Sequence, residues 1–302
     1  MNARAGSIPA ALWELTKPRL SFLSVLTALA GYFCSNPQAP TDPKALVSLA
    51  LGTALAAGGC GALNMWWESE ADAKMERTRH RPIPAQLIQP AAVLLFGLAL
   101  AALGVGLVWF GANPLAGLLT LATVASYLLL YTPLKSLTSW CTLVGSLPGA
   151  IPPIIGTAAK VGAIDEMGWL LFALLFCWQI PHFMALAVMC REDYVRGGFK
   201  VATVSDPSGR TAALWSLAFI IPMFFVAGKL AGTFFGLGYA GHLGGFKSPF
   251  LWVSFVAGAW FFKLSLDFAL PHRRAEVAKP FFLGSILYLP LVLLTLTLNR
   301  LF

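Results

Sequence analysis

The sequence has few charged residues. Only 11% of its 302 residues are Asp, Glu, Lys or Arg, and 58% are hydrophobic, whereas soluble domains carry about 25% charged residues. This balance excludes an ordinary soluble globular protein and predicts a polytopic membrane protein. The net charge of +8 could suit a nucleic-acid binder. Basic residues separated by apolar runs are more typical of membrane orientation signals, however, so we do not expect nucleic acid as a partner.

The sequence also lacks paired cysteines. Its five cysteines are scattered, no two have CxxC spacing, and most lie inside apolar runs. The pattern argues against a disulfide framework or a cysteine metal site and indicates packing residues. A cleaved signal peptide is disfavoured as well, because the first apolar run leads directly into Asn36-Pro37 without a small-x-small cleavage site and further runs follow.

About nine apolar runs approach the roughly 20 residues needed to cross the hydrocarbon core. They lie at 20–35, 46–63, 87–110, 115–131, 141–158, 169–189, 212–230, 250–270 and 281–298. We therefore predict an all-α polytopic membrane protein with about nine transmembrane helices. Residues 1–302 would form one transmembrane domain, with residues 1–19 as a basic lead.

Lysine and arginine are concentrated on alternate connecting segments. Most of these basic residues, of which Arg4 is the first and Lys279 the last, lie on segments that would share a side with the N-terminus. The segments on the other side carry few, among them Lys44 and Lys247. Because basic residues near span ends are retained in the cytoplasm, we expect the N-terminus inside and the C-terminus outside. The absence of a long Arg- and Ser-rich leader favours the inner (plasma) membrane of a bacterium over a mitochondrial inner membrane.

The stretch 64–82 places acids and then bases between two apolar runs. If the preceding helix continues through it, Asn64, Glu68 and Asp72 fall at i, i+4 and i+8 and point from one face. Three aligned oxygen-bearing side chains predict a divalent-cation site, although such carboxylates can also be solvated or paired with a neighbouring arginine. Glu70 lies roughly 100–200° round the helix and would not share the site.

A diphosphate carried on a lipid requires acids, bases and a deep apolar bundle together. Mg²⁺ typically bridges one or two carboxylates to phosphate oxygens, and Arg and Lys neutralise the remaining charge. Departure of diphosphate from an allylic carbon builds negative charge, which preorganised cations stabilise. The apolar tail would lie among the spans.

A second polar cluster, 178–183 followed by 191–194, lies four spans after the first on the same predicted side. This spacing suggests two related four-helix halves. His182, Met189 and Asp193 are spaced i, i+7 and i+11, so the imidazole and the carboxylate could share one helix face. His182 has two interpretations, a satisfied core histidine or a substrate contact.

These motifs resemble those of the UbiA superfamily of intramembrane prenyltransferases over nearly the whole chain. The matching elements are Lys17-Pro18-Arg19, Asn64-x3-Glu68-x3-Asp72 with Met75-x-Arg77-Thr78-x2-Arg81-Pro82, Tyr131-Thr132-x-Leu134-Lys135, Gly145-x3-Gly149-Ala150-x-Pro152-Pro153-x2-Gly156, and Trp178-Gln179-x-Pro181-His182-Phe183 with Asp193-Tyr194. The Asn64 motif marks the superfamily, whereas the last two elements are similar to those of the branch that modifies heme.

The resemblance implies a UbiA-type bundle that transfers farnesyl from farnesyl diphosphate to a vinyl group of heme b, with water added. The products would be diphosphate and heme O for terminal oxidases. It implies catalytic Mg²⁺ ligands and a set of substrate-binding side chains. The ligands would be Asn64, Glu68, Asp72 and Asp193, and the substrate-binding residues Arg77, Arg81, Lys135, His182 and Lys200. His182 would ligate heme iron, contact a propionate or orient another side chain.

Some alternatives remain open at this stage. Arg77 and Arg81 could serve only as positive-inside anchors. The acceptor could be chlorophyllide or a quinone precursor instead of heme. A polytopic transporter would also show repeats and polar residues within spans, but it would not need acids and guanidines concentrated on one side. The bilayer is an expected partner, and a heme A synthase or terminal oxidase is a candidate recipient of heme O.

Overall fold

The computed structural model describes residues 7–36, 38–231 and 249–301, and the regular elements in these ranges are helical. The α-helices are α1 (Ile8–Leu15), α2 (Pro18–Cys34), α3 (Pro43–Trp67), α4 (Ser69–Lys74), α5 (Pro90–Gly111), α6 (Pro114–Ala125), α7 (Thr132–Leu137), α8 (Cys141–Ala150), α9 (Pro152–Val161), α10 (Glu166–Met189), α11 (Arg191–Arg196), α12 (Ala202–Ser205), α13 (Arg210–Leu230), α14 (Pro249–Ala269) and α15 (Arg274–Leu301). A π-helical segment, Ser126–Tyr131, joins α6 to α7. Arg4 and Lys247 lie outside the described residues.

Eight helical segments of the described ranges are long and apolar enough to cross a membrane. Two of them are composite, because α6, the π-helical segment and α7 form Pro114–Leu137, and α8 and α9 form Cys141–Val161. The remaining predicted run corresponds to the shorter helix α2, which has 17 residues. The nine predicted runs therefore coincide with helices, with bounds that differ by at most seven residues, and the all-α polytopic architecture is confirmed. The relation between two four-helix halves stays a prediction.

Helices α3 and α5 pack with their backbones in contact through glycines. A Cβ added at Gly52 would lie 2.8 Å from the carbonyl oxygen of Gly104, and one added at Gly59 would lie 2.6 Å from the amide nitrogen of Ala101. Small residues at helix interfaces let membrane helices approach this closely. The contact fixes the rotation of α3 about its axis and leaves another face of the helix free to line a cavity.

Connecting segments that the charge pattern assigns to the same side contact one another. On one side, the Lys160 ammonium donates to the carbonyl oxygen of Pro40 at 3.2 Å. On the other, the backbone N–H of Lys200 donates to the carbonyl oxygen of Lys135 at 2.7 Å. The basic segments near 64–82, 135 and 191–200 thus converge at one end of the bundle.

The glycine contact leads to a stability prediction. Gly59→Ala should destabilise the protein by about 1–3 kcal/mol, because the added methyl group would force α3 and α5 apart. Gly106 on α5 is the matched control, since nothing lies within 4 Å of a Cβ placed there. Gly106→Ala should leave stability unchanged or raise it slightly through helix propensity. Thermal unfolding in detergent compares the two variants, and equal midpoints would contradict the packing described.

Candidate active site

A cavity of about 360 Å³ opens within the bundle, and we call it the chamber. One face of α3 lines it with mostly small side chains, namely Thr53, Ala56, Ala57, Cys60, Gly61 and Asn64. Thr53 and Asn64 are 11 residues apart, which corresponds to about 16 Å along a helix axis. Val124 and Ile155 contribute to the apolar wall. The chamber thus combines a polar mouth near Asn64 with an elongated, largely apolar interior.

The three predicted metal ligands lie side by side at the chamber mouth. Helix α3 ends at Trp67 and α4 begins at Ser69, but the hydrogen bonds from Glu68 N to Asn64 O (2.9 Å) and from Asp72 N to Glu68 O (2.8 Å) keep the helical register. All three side chains line the chamber, so their predicted alignment is confirmed. The helix stops at Lys74 and does not reach Glu76, and Glu70 is exposed.

Each member of this row contacts a base from a different segment of the chain. The pairs are Lys17 Nζ with Asn64 Oδ1 at 2.7 Å, Lys135 Nζ with Glu68 Oε1 at 2.7 Å, and Arg81 Nη1 with Asp72 Oδ2 at 2.6 Å. We call these six residues the paired row. Both carboxylates are buried, and removing one partner of a buried ion pair leaves an uncompensated charge. The bases therefore stabilise the carboxylates at the membrane edge.

The oxygen atoms at the chamber mouth suit a metal ion that binds together with the substrate. Within the described ranges, no cluster of three or more His, Cys, Asp or Glu side chains is arranged to hold a metal ion alone. However, Asp72 Oδ1 is buried and has no hydrogen-bond partner, while Asp72 Oδ2 accepts from Arg81. Asn64 Oδ1 lies about two helical turns earlier in the row and accepts from Lys17 at 2.7 Å. Mg²⁺ commonly takes one or two carboxylates and completes its shell with waters and substrate phosphates, so these residues fit a magnesium diphosphate.

Burial shifts the pKa of two groups in the paired row. Burial, together with the positive charge of Arg81, lowers the pKa of Lys17 to about 7. Burial would raise the pKa of Glu68, but the charges of Lys135 and Lys17 and hydrogen bonds from Lys135 and Asn64 together hold that pKa below its ordinary value. Glu68 is therefore an anion at neutral pH.

The π-helical segment presents two tyrosines to the chamber. The rings of Tyr127 and Tyr131 have centroids 5.3 Å apart, and the Lys135 ammonium lies 4.6 Å from the centroid of Tyr131. π-Helical turns are frequent at functional sites. Neither tyrosine was predicted as a site residue, although Tyr131 stands in one of the matching motifs. Their signal was the i, i+4, i+8 spacing of Tyr127, Tyr131 and Lys135 within an otherwise apolar run.

The second cluster docks onto the first through Asp193. Its carboxylate accepts the backbone N–H groups of Glu76 at 3.0 Å and Arg77 at 3.3 Å. His182 and Asp193 lie on separate helices, α10 and α11, and contact different parts of the chain, so the structure does not bring the imidazole and the carboxylate together.

His182 faces α15 and does not line the chamber. Its Nδ1 lies 2.7 Å from Ser285 Oγ, and its ring stacks on Trp178 and on Phe282 with centroid distances of 5.0 and 4.6 Å. On α10, Gln179 lies on the chamber wall. The geometry matches the interpretation of His182 as a satisfied core histidine.

Six of the nine predicted site residues line the chamber, namely Asn64, Glu68, Asp72, Arg77, Arg81 and Lys135. The other three, His182, Asp193 and Lys200, are not among the described residues that line the chamber, and Lys200 is exposed. Lys17 and Tyr194 line the chamber although neither was predicted as a site residue. The signal for Lys17 was the Lys-Pro-Arg element before the first apolar run.

Comparisons with known proteins agree with this geometry. The model of the UbiA prenyltransferase family matches residues 24–286. A protoheme IX farnesyltransferase of Opitutus terrae is 42% identical over 297 residues, covering 96% of this chain and 94% of the relative. A protoheme IX farnesyltransferase of Solibacter usitatus is 39% identical, covering 95% of this chain and 97% of the relative.

Solved structures share the fold at low identity. A digeranylgeranylglyceryl phosphate synthase has a TM-score of 0.77 and 13% identity, covering 96% of this chain and 98% of its own. A UbiA homologue from Archaeoglobus fulgidus bound to GPP and Mg²⁺ has a TM-score of 0.64 and 13% identity, covering 95% of this chain and 99% of its own. The predicted UbiA-type bundle is therefore confirmed.

The buried Lys135–Glu68 pair leads to a second prediction. Glu68→Gln should destabilise the protein by about 3–5 kcal/mol, because it leaves the Lys135 ammonium buried without its anion. The double variant Glu68→Gln with Lys135→Met should recover part of that loss. The exposed Arg196–Glu192 pair provides the control, since Glu192→Gln should change stability little. Thermal unfolding in detergent measures all three, and additive losses in the double variant would contradict the pairing.

Proposed function

This chain belongs to the UbiA prenyltransferase family, and we propose that it transfers farnesyl from farnesyl diphosphate to a vinyl group of heme b, giving heme O and diphosphate. The sequence-based prediction of a prenyltransferase enzyme is confirmed by the family match and by the relatives named protoheme IX farnesyltransferase. The observation that carries the proposed reaction is the paired row at the mouth of an apolar chamber.

The paired row would bind the diphosphate. Asn64, Glu68 and Asp72 would hold Mg²⁺, which neutralises charge on the leaving diphosphate when it is bound. The bases that now pair with the two carboxylates would then be free to bind phosphate oxygens, and charge-assisted hydrogen bonds of this kind are strong. Arg81 and Lys135 are the bases placed to do so, with Arg77 beside them on the chamber wall.

The interior of the chamber would receive the farnesyl chain. Breaking the bond between the allylic carbon and oxygen leaves the electron pair on the diphosphate and a positive charge on the carbon. Aromatic rings stabilise nearby cations, and Tyr127 and Tyr131 present such rings next to the paired row. The vinyl group of heme b would attack the cation, and water would then add to the resulting heme-side cation with loss of a proton.

Three of the predicted site residues do not line the chamber. Asp193 holds the backbone at Glu76 and Arg77, so we propose that it positions Arg77, and a metal contact from Asp193 stays a prediction. The backbone of Lys200 holds α7 at Lys135, which leaves its predicted contact with diphosphate untested. For His182, a contact with heme remains a prediction that no observed contact supports.

We also propose a location and an orientation. The protein would be a multi-pass protein of a bacterial inner membrane, with residues 1–302 as one domain and the N-terminus in the cytoplasm. The convergence of basic segments at one end of the bundle supports this orientation. Heme O would leave toward a heme A synthase or a terminal oxidase. Protease accessibility of N-terminally tagged protein in oriented inner-membrane vesicles tests the orientation.

The central catalytic prediction concerns Asp72. Asp72→Asn keeps the size of the side chain but removes the carboxylate, so turnover should fall by on the order of 100-fold or more. The assay incubates purified protein with heme b and farnesyl diphosphate in Mg²⁺ buffer and detects heme O by mass. Glu70→Gln, on the exposed side of α4, should retain activity. Wild-type turnover in Asp72→Asn would refute the assignment.

The same assay tests the choice of acceptor. With farnesyl diphosphate present, heme b should be prenylated and chlorophyllide or a quinone precursor should not. Purified protein titrated with heme b should show a bound Soret band. Prenylation of either alternative acceptor in preference to heme b would show that the family assignment stands but the proposed acceptor is wrong.

A further inference from the structure

Lys17 lies at the chamber mouth, and the proposed reaction leaves it without a role. The residue occupies the turn between α1 and α2, and its side chain lines the chamber. Its backbone is left-handed, with φ 46° and ψ 58°. That conformation is uncommon for a residue with a Cβ atom and carries a conformational cost. The surrounding packing therefore stabilises Lys17 in a backbone conformation that the residue does not favour by itself.

Helix α3 provides room for the Lys17 side chain through a glycine. A Cβ added at Gly61 would lie 2.9 Å from the carbonyl oxygen of Leu15 and 3.3 Å from Lys17 Cγ. Leu15 itself is fully buried against α3. Helix α1 thus rests on α3 and directs the stem of Lys17 past Gly61 toward Asn64.

The charge on Lys17 is not balanced by an acid. Among the described residues, its hydrogen-bond partner is the neutral amide oxygen of Asn64 at 2.7 Å, and no carboxylate forms an ion pair with it. Lys135 and Arg81 each have a carboxylate, so the paired row holds three bases against two acids. A cluster with more basic than acidic side chains suits an anionic ligand.

We propose that Lys17 is a third base that binds the diphosphate of the prenyl donor in the proposed reaction, on which this inference rests. Its position beside Asn64, at the start of the row that continues with Glu68 and Asp72, points to the phosphate end of the donor rather than to an acceptor carboxylate. Asn64 would then exchange its contact with Lys17 for the metal. Thr132 Oγ1, 3.5 Å from Asn64 Nδ2, would keep the amide oriented during the exchange.

Binding measurements on three full-length variants in detergent test the assignment. Lys17→Met keeps most of the stem and removes the charge, Lys17→Arg keeps a cation, and Arg19→Met removes an exposed base two residues away. Titration calorimetry with inorganic pyrophosphate and Mg²⁺ should show affinity about 10-fold or more weaker in Lys17→Met. Lys17→Arg should recover much of it, and Arg19→Met should match wild type. Heme b affinity, measured by the Soret band, should be unchanged in all three.

Several outcomes would overturn the assignment. Loss of heme affinity with normal pyrophosphate affinity would move Lys17 to the acceptor site. Lower kcat with unchanged affinity for both ligands would make Lys17 a positioning residue for Asn64. Equal losses in Lys17→Met and Arg19→Met would indicate a general charge effect. If the wild type makes no heme O, the proposed function fails, whereas weakened pyrophosphate binding in Lys17→Met would still support the site.

A measurement on the wild type covers the case in which Lys17→Met does not fold. Acetylation of amines followed by mass spectrometry reports how accessible Lys17 Nζ is. Pyrophosphate with Mg²⁺ should protect Lys17, and heme b alone should not. The exposed Lys74 serves as an internal reference whose labelling should not change. Unchanged labelling of Lys17 under saturating pyrophosphate would refute the contact.

Discussion

Charge buried at the edge of a membrane bundle must be compensated, and this requirement organises the site. Glu68 and Asp72 are almost fully buried, and each is compensated by a base, Lys135 from a distant part of the chain and Arg81 from the segment that follows α4. Removing either partner would leave an unpaired charge in a low-dielectric setting. The two pairs therefore attach helix α7 and the segment after α4 to the acidic stretch that follows α3. They also hold close together the acids and bases that would bind a metal diphosphate.

Helix α3 brings these requirements together, because different parts of its surface contact α5, the turn at Lys17 and the chamber. Glycines on one face let α5 approach to backbone contact, and Gly61 admits the turn that carries Lys17. Small side chains, Gly61 among them, leave the space that forms the chamber. The same helix then continues in register through Glu68 into α4, so the polar groups lie at the mouth of the apolar cavity. A prenyl diphosphate matches this arrangement, because it has an apolar chain and a charged end.

The sequence predicted the helices well because the length of an apolar run directly reflects the thickness of the membrane. It predicted the alignment of Asn64, Glu68 and Asp72 because local hydrogen bonds preserve helical spacing. It did not identify Lys17, whose role depends on a left-handed turn and on contact with a residue 47 positions away. It left two interpretations of His182 open, for another reason. Helix α10 is buried on most sides, so its sequence does not mark the face that lines the chamber.

In the proposed reaction, acids and bases of the paired row exchange partners when a metal diphosphate binds. Metal and diphosphate should then bind cooperatively, because a cation that occupies the acids frees the bases for phosphate. The most direct test is calorimetric titration of the wild-type protein with a non-hydrolysable farnesyl diphosphate analogue, in Mg²⁺ and in EDTA. Binding should be at least about 10-fold tighter with Mg²⁺, a coupling within the range usual for linked sites. Equal affinity in the two buffers would rule out the exchange of partners.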